Sequence, residues 1–260
     1  MAAGGFIRKV RITILLVVLF FVGMNTWLTQ LRSTDWNDTL WMVVYPINGD
    51  DSQTAQKYIN TLSADTFNGI ESFLAAEAHR YGLSIDEPVT VRLAPQVHDR
   101  PPMPPENGST LSIMLWSLKL RYWAFSHDNF DGPSPDIQMF VVYHDPARNG
   151  RLRHSLGIQK GMIGVVNAFA SRAMASRNNV VITHEFLHTV GASDKYDLAT
   201  SQPLFPDGYA EPERQPLYPQ RLAEIMGGRI PLSDHRAIMP KSVSASRIGS
   251  ETAEEIRWIN

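Results

Sequence analysis

Residues 178–194 read Asn178-Asn-Val-Val-Ile-Thr-His184-Glu185-Phe-Leu-His188-Thr-Val-Gly191-Ala-Ser-Asp194. Val180, Val181, Phe186, Leu187 and Val190 serve as apolar anchors behind two capping-type asparagines, which predicts a helix with one buried face. On that helix His184 and His188 lie one turn apart, so their imidazoles can converge on one cation with Glu185 beside it. Gly191, three residues after His188, can take the left-handed conformation that ends a helix and turns the chain back. Asp194 is where the returning chain arrives. Two imidazoles and a carboxylate suit Zn²⁺, whose catalytic sites use three protein ligands and keep one position open for water.

A bare His-Glu-x-x-His arises by chance in roughly 1% of chains of this composition, and requiring Gly191 and Asp194 as well lowers that to about 1 in 20,000. The longer pattern is therefore the informative one. His-Glu-x-x-His-x-x-Gly-x-x-Asp over residues 184–194 resembles the metzincin zinc metallopeptidases, whose motif ends in His or, in some members, Asp. The resemblance implies a zincin-like α/β (α+β) fold, with a mixed twisted sheet, an active-site helix and an irregular C-terminal subdomain. It also implies one catalytic zinc on His184, His188 and Asp194, and Glu185 as general base in hydrolysis of a peptide or protein substrate. Metzincin substrates usually lie along an edge strand beside the active-site helix, and Leu152 to Gln159 is the candidate for that role.

Upstream of the motif the pattern agrees with an α/β layer. Trp41 to Tyr45 reads as a first strand stopped by Pro46. Apolar residues from Tyr58 to Tyr81 recur at helical spacing between a Ser52 cap and a Gly82 stop, as one long helix or two in series. Val89 to Leu93 is a second strand, and the proline-rich stretch from Pro95 to Gly108 is a loop, because proline donates no ladder bond. A helix at about Ser109 to Phe125 is expected to bury Leu111, Met114, Leu115, Leu118 and Tyr122 on one face. Ile137 to Tyr143, Leu152 to Gln159 and Met162 to Phe169 read as further strands, and Ser250 to Trp258 as a final short helix.

The 260 residues carry 24 Lys plus Arg against 26 Asp plus Glu. That near-neutral balance offers no broad cationic surface for nucleic acid. With no cysteine, disulfides, thiolate nucleophiles and Cys-ligated zinc are excluded. From Ile12 to Leu31 no residue is charged, and Arg8, Lys9 and Arg11 precede the run. Positive charge before an apolar stretch of about 20 residues predicts a cytoplasmic N-terminus at 1–11, a transmembrane signal-anchor at 12–31 and an extracytoplasmic body at 32–260. A cleaved signal peptide is the alternative. The body divides into an N-terminal subdomain at 32–191 and a C-terminal one at 192–260.

Several points stay open at this level. The methionine that metzincins place beneath the zinc corresponds to Met226 or Met239. Neither is followed two residues later by Tyr, so Tyr196, Tyr209 and Tyr218 are the hydroxyls that could substitute for an oxyanion-stabilising tyrosine. In the thermolysin-like zincins the third ligand is a later Glu, which would make it Glu211, Glu213 or Glu224, and Asp197 is a further carboxylate close by. A membrane-tethered, non-catalytic module with a structural zinc is the competing function; it requires a closed four-ligand site.

Overall fold

The computed structural model describes residues 8, 10–14, 16–17, 20, 35–105, 108–159 and 161–259. The described positions between 8 and 20 are helical, and most of the expected 12–31 anchor lies outside the described residues. Among the described residues no helix is long and apolar enough to cross a membrane.

The body begins with β1 (Leu40–Asn48), α1 (Gln53–Ile59), a 3-10 turn (Ala64–Phe67), α2 (Asn68–Arg80), β2 (Val89–Leu93) and α3 (Thr110–Ser126). It continues with β3 (Ile137–His144), β4 (Leu156–Ile158), β5 (Ile163–Phe169) and α4 (Ala175–Thr189). The strands form one mixed sheet in the order β2-β1-β3-β5-β4. The first four are parallel, and β4 runs antiparallel to β5 at the edge. Ser52 caps α1 by accepting the Ala55 N–H at 3.0 Å, and Gly82, at φ +77°, follows the end of α2.

Alternation along the central strands assigns side chains to opposite faces of the sheet. Met42 and Val44 of β1, with Met139, Val141 and Tyr143 of β3, pack against Ile70, Phe73 and Leu74 of α2 and Phe186 and Leu187 of α4. Val43, Tyr45, Ile47, Phe140 and Val142 face the other way, onto Leu120 and Ala124 of α3. Each such large buried side chain contributes about 1.5–3 kcal/mol, so the two layers are held mainly by apolar burial.

Two sequence expectations are corrected here. Helix α3 is present, but Leu111, Met114, Leu115, Leu118 and Tyr122 are 57–74% exposed rather than buried. Its inward stripe is Trp116, Leu120, Trp123 and Ala124. This helix is apolar on both faces, so spacing alone does not identify the core side. Strand β1 also runs through Pro46 to Asn48. Its partner β2 pairs only as far as Val44–Leu93, and Pro46 lies beyond, with its carbonyl accepting the Val97 N–H at 3.0 Å. A proline there forfeits no bond to β2.

After α4 the regular layers give way to two short strand pairs. One joins β6 (Ala223–Glu224) to β9 (Ser246–Arg247), and the other joins β7 (Ile230–Ser233) to β8 (Arg236–Ile238). The chain closes with α5 (Ser250–Glu255). Trp36 Nε1 donates to the Ile256 carbonyl at 2.7 Å and its ring meets Trp258 edge-on, which joins the start of the body to the segment just after α5.

Candidate metal centre

Helix α4 begins at Ala175, earlier than the two asparagines suggest, and Met174 at its N-cap makes no side-chain capping bond. Asn178 and Asn179 are therefore not caps. The Asn178 amide donates to the Phe169 carbonyl at 2.9 Å and its Oδ1 accepts the Phe169 N–H at 3.2 Å, so it fastens the helix to β5. Asn179 Nδ2 donates to the Thr66 carbonyl at 2.9 Å. The helix is thus pinned on two sides just before its histidines.

Strand β4 passes close beside the same helix. A Cβ added at Gly157 would stand 2.3 Å from the Glu185 carbonyl oxygen and 2.6 Å from His188 Cβ. Only glycine fits a backbone approach this near.

At the other end, Gly191 has φ +119° and the Ala192 N–H donates to the Leu187 carbonyl at 3.0 Å. This reversal carries the chain back to Asp194. Asp194 Oδ1 lies 3.1 Å from His184 Nε2 and 3.1 Å from His188 Nε2, and the two Nε2 atoms are 3.2 Å apart. Among the described residues, these three side chains form a group able to hold a metal ion. Each imidazole turns its Nδ1 to a backbone carbonyl, His184 to Ile225 at 2.9 Å and His188 to Ala192 at 2.8 Å. Such bonds fix the tautomer that leaves Nε2 as the electron-pair donor.

Three donor atoms converging at about 3 Å repel one another unless protons or a cation lie between them. Burial opposes the charged imidazolium of His184, but the Asp194 hydrogen bond and the Glu185 charge outweigh it and raise its pKa to about 9. Burial likewise works against the Asp194 carboxylate, yet its two histidine contacts hold it well below the usual range. A field that favours a proton at this point favours a metal cation there too.

Glu185 lines the adjoining cleft and is buried, and among the described residues its Oε2 has no hydrogen-bond partner. Burial raises its pKa, with the two histidines pulling it down and Asp194 pushing it up. Tyr196 lines the cleft, its ring centroid 6.1 Å from that of His184. Burial first, and then the charges of Asp194 and Glu185, raise its hydroxyl to about 12.

The other residues weighed from sequence lie elsewhere. Asp197 takes the N–H groups of Ala199 and Thr200 in its own turn. Glu211 accepts the Arg221 N–H, and Glu213 is exposed. Glu224 is fully buried and accepts from Gly227 N, Gly249 N and Thr252 Oγ1. Tyr209 and Tyr218 bond each other through their hydroxyls at 2.9 Å. Met226 is fully buried next to Ile225, whereas Met239 is 38% exposed in the cleft wall.

Sequence reasoning did not find the groups that hold Asp194 in place. Ser193 and Lys195 flank it, and both reach Glu255 of α5: Ser193 N at 2.9 Å and Lys195 Nζ at 2.7 Å. Sixty residues separate Lys195 from Glu255, and no local spacing signals such a clamp.

No family model and no curated protein matches this chain. One matching solved structure is described as "Structure of a chaperone-substrate complex", with 12% identity and a TM-score of 0.41. The match covers 84% of this chain and 33% of that one, so this chain spans about a third of its length. A likeness at that level bears on neither fold nor function.

Proposed function

We propose that this chain is a zinc-dependent metallopeptidase of metzincin type, tethered to a membrane by residues 12–31 with its body on the extracytoplasmic side. The observation that carries the reading is the meeting of His184 Nε2, His188 Nε2 and Asp194 Oδ1, at 3.1–3.2 Å, beside a buried carboxylate with an unpartnered oxygen. The donor set fits zinc: two neutral imidazoles with fixed tautomers and one hard oxygen are a three-ligand catalytic shell. When bound, zinc supplies Lewis-acid chemistry, acidifying water toward pKa ~7 and polarising a peptide carbonyl.

The chain's own residues do the rest. Glu185 takes a proton from the attacking water as the C–O bond forms, then delivers it to the amide nitrogen as the C–N bond breaks. Burial raises its pKa above the ordinary carboxylate range, which strengthens it as a base for the water proton. Tyr196 lines the same cleft, and in this reading its hydroxyl donates a hydrogen bond to the oxyanion that develops on the former carbonyl. Among the described residues the outer edge of β4 pairs with no strand, and an extended substrate can add there through main-chain hydrogen bonds.

The test is zinc content and peptide cleavage for the wild type and Glu185→Gln. The expected result is about one equivalent of zinc in both proteins and loss of cleavage in the variant. Retention of zinc with undiminished cleavage would overturn the role of Glu185. A closed four-ligand coordination sphere in the zinc-loaded protein would instead favour the binding module.

A further inference from the structure

His184 and Glu185 line a cavity of about 370 Å³ that runs along α4 toward its first turn. Arg177 is seven residues before His184, so it lies on the same helix face about 10 Å away. Val181 and Ile225 supply apolar wall between them. Four arginines line this space: Arg229 is half-buried, and Arg151, Arg153 and Arg177 are exposed at its rim, where Arg153 Nη1 also donates to Met103 Sδ at 2.9 Å. Arg151 and Arg153 come from the segment leading into β4, Arg177 from the start of α4, and Arg229 from just beyond the Met226-Gly227-Gly228 loop.

Glu185 is the one carboxylate among the residues lining the cavity. Among the described residues none of the four arginines forms an ion pair, although Arg80, Arg100 and Arg214 elsewhere all do. Three separate segments therefore bring arginines without an ion-pair partner among the described residues to one recess beside His184 and Glu185. Arginine in a concave, partly apolar site binds carboxylate through paired N–H donors, and more strongly than it would on open surface.

We infer that this recess selects a carboxylate on the substrate, so that the preferred peptide is anionic at the residue seated next to the scissile bond. The inference deepens the peptidase reading and rests on it. The same chemistry has two sources, an Asp or Glu side chain and a free chain terminus, and they are separable.

The experiment uses the full chain in detergent micelles loaded with zinc, and fluorogenic peptides that differ only in Glu or Gln on either side of the cleaved bond. Each peptide is made with a free and with an amidated C-terminus. The expected result is a kcat/KM about 10–100-fold higher for Glu than Gln at one flanking position. Arg177→Gln and Arg229→Gln each move that ratio toward one, and Arg229→Glu shifts preference toward a Lys peptide. If the preference follows the free terminus instead, the recess is a terminal-carboxylate pocket, and the side-chain assignment falls while the carboxylate assignment stands. Equal turnover of Glu, Gln, free and amidated peptides would overturn the inference but leave the peptidase intact.

A second readout does not depend on turnover. Anisotropy of labelled Glu and Gln peptides on metal-free Glu185→Gln protein should show tighter binding of the Glu peptide, weakened by salt. Should the wild type cleave nothing, this binding difference still decides the inference.

Discussion

The buried carboxylate of Glu224 accepts the Gly227 N–H at 2.7 Å, closing a loop whose Ile225 carbonyl takes the Nδ1 proton of His184 at 2.9 Å. Glu224 touches neither the metal-binding group nor the cleft. It acts by fixing the carbonyl that orients the His184 imidazole. Burial raises its pKa above the usual carboxylate range in spite of the N–H donors around it. Glu224→Ala would leave Gly227 N, Gly249 N and Thr252 Oγ1 without their acceptor, at a cost of about 1–3 kcal/mol for each group that water cannot reach. Urea unfolding should show a loss of at least about 2 kcal/mol, and zinc competition a 10–100-fold weaker site. Unchanged zinc affinity in a destabilised variant would mean that Ile225 is held by other contacts.

Titration of the metal-free protein should betray the same centre. His184 has a folded pKa of about 9 against an ordinary 6.5, so its contribution is complete below pH ~6.5 and disappears as pH rises through 9. That contribution corresponds to about 3 kcal/mol. Asp194 and Glu255 are shifted downward, so their contributions are present above the ordinary carboxylate range and are lost in acid. Metal-free protein should therefore melt at lower temperature both in acid and above pH 9, and His184→Gln should flatten the alkaline limb. Zinc binding near pH 7 should release about one proton, because the ion displaces the one held by His184. Calorimetry in buffers of different ionisation enthalpy measures that number directly.

The legible and illegible parts of this molecule divide by the range of the interactions involved. Residues 178–194 reveal the helix, the reversal and the convergence of His184, His188 and Asp194 together, because an i, i+4 pair and a glycine bend are local geometry. Strand β2 is found at its actual bounds, Val89–Leu93, since proline and turn residues isolate a short β-branched run. The glycines that weaken β4 and β5 as strands have tertiary reasons: Gly157 faces the Glu185 carbonyl and Gly164 faces the Met139 sulfur. Glu255 is invisible as a support because Lys195 lies 60 residues away, and Glu224 because Gly249 and Thr252 lie 25 and 28 residues on. Tyr196 could be named from sequence as one hydroxyl among three. Only the folded loop distinguishes it from Tyr209 and Tyr218, which satisfy each other.

The two faces of α3 provide a direct check on the corrected packing. Leu118 is 57% exposed and Leu120 fully buried, although they are two residues apart on one apolar helix. Leu118→Ser should change stability by no more than about 0.5 kcal/mol, as surface substitutions generally do. Leu120→Ala removes packing beneath Tyr45 and Phe140 and should cost about 2–5 kcal/mol. Thermal or urea unfolding of the two variants side by side tests the orientation, and reversed magnitudes would restore the face expected from spacing.

Tyr196 supplies the sharpest kinetic prediction, since its hydroxyl separates two roles that look alike in a static cleft. If the ring merely packs, Tyr196→Phe keeps its shape and leaves turnover almost untouched. If the hydroxyl donates to charge that develops only as the carbonyl is attacked, its removal acts on the transition state and not on the bound peptide. The second role is the one expected, because the ring lines the cleft beside His184, with centroids 6.1 Å apart. Tyr196→Phe should therefore lower kcat by about 100-fold with KM nearly constant, while zinc content stays at the wild-type level. A rise in KM without a fall in kcat would reassign the hydroxyl to ground-state binding.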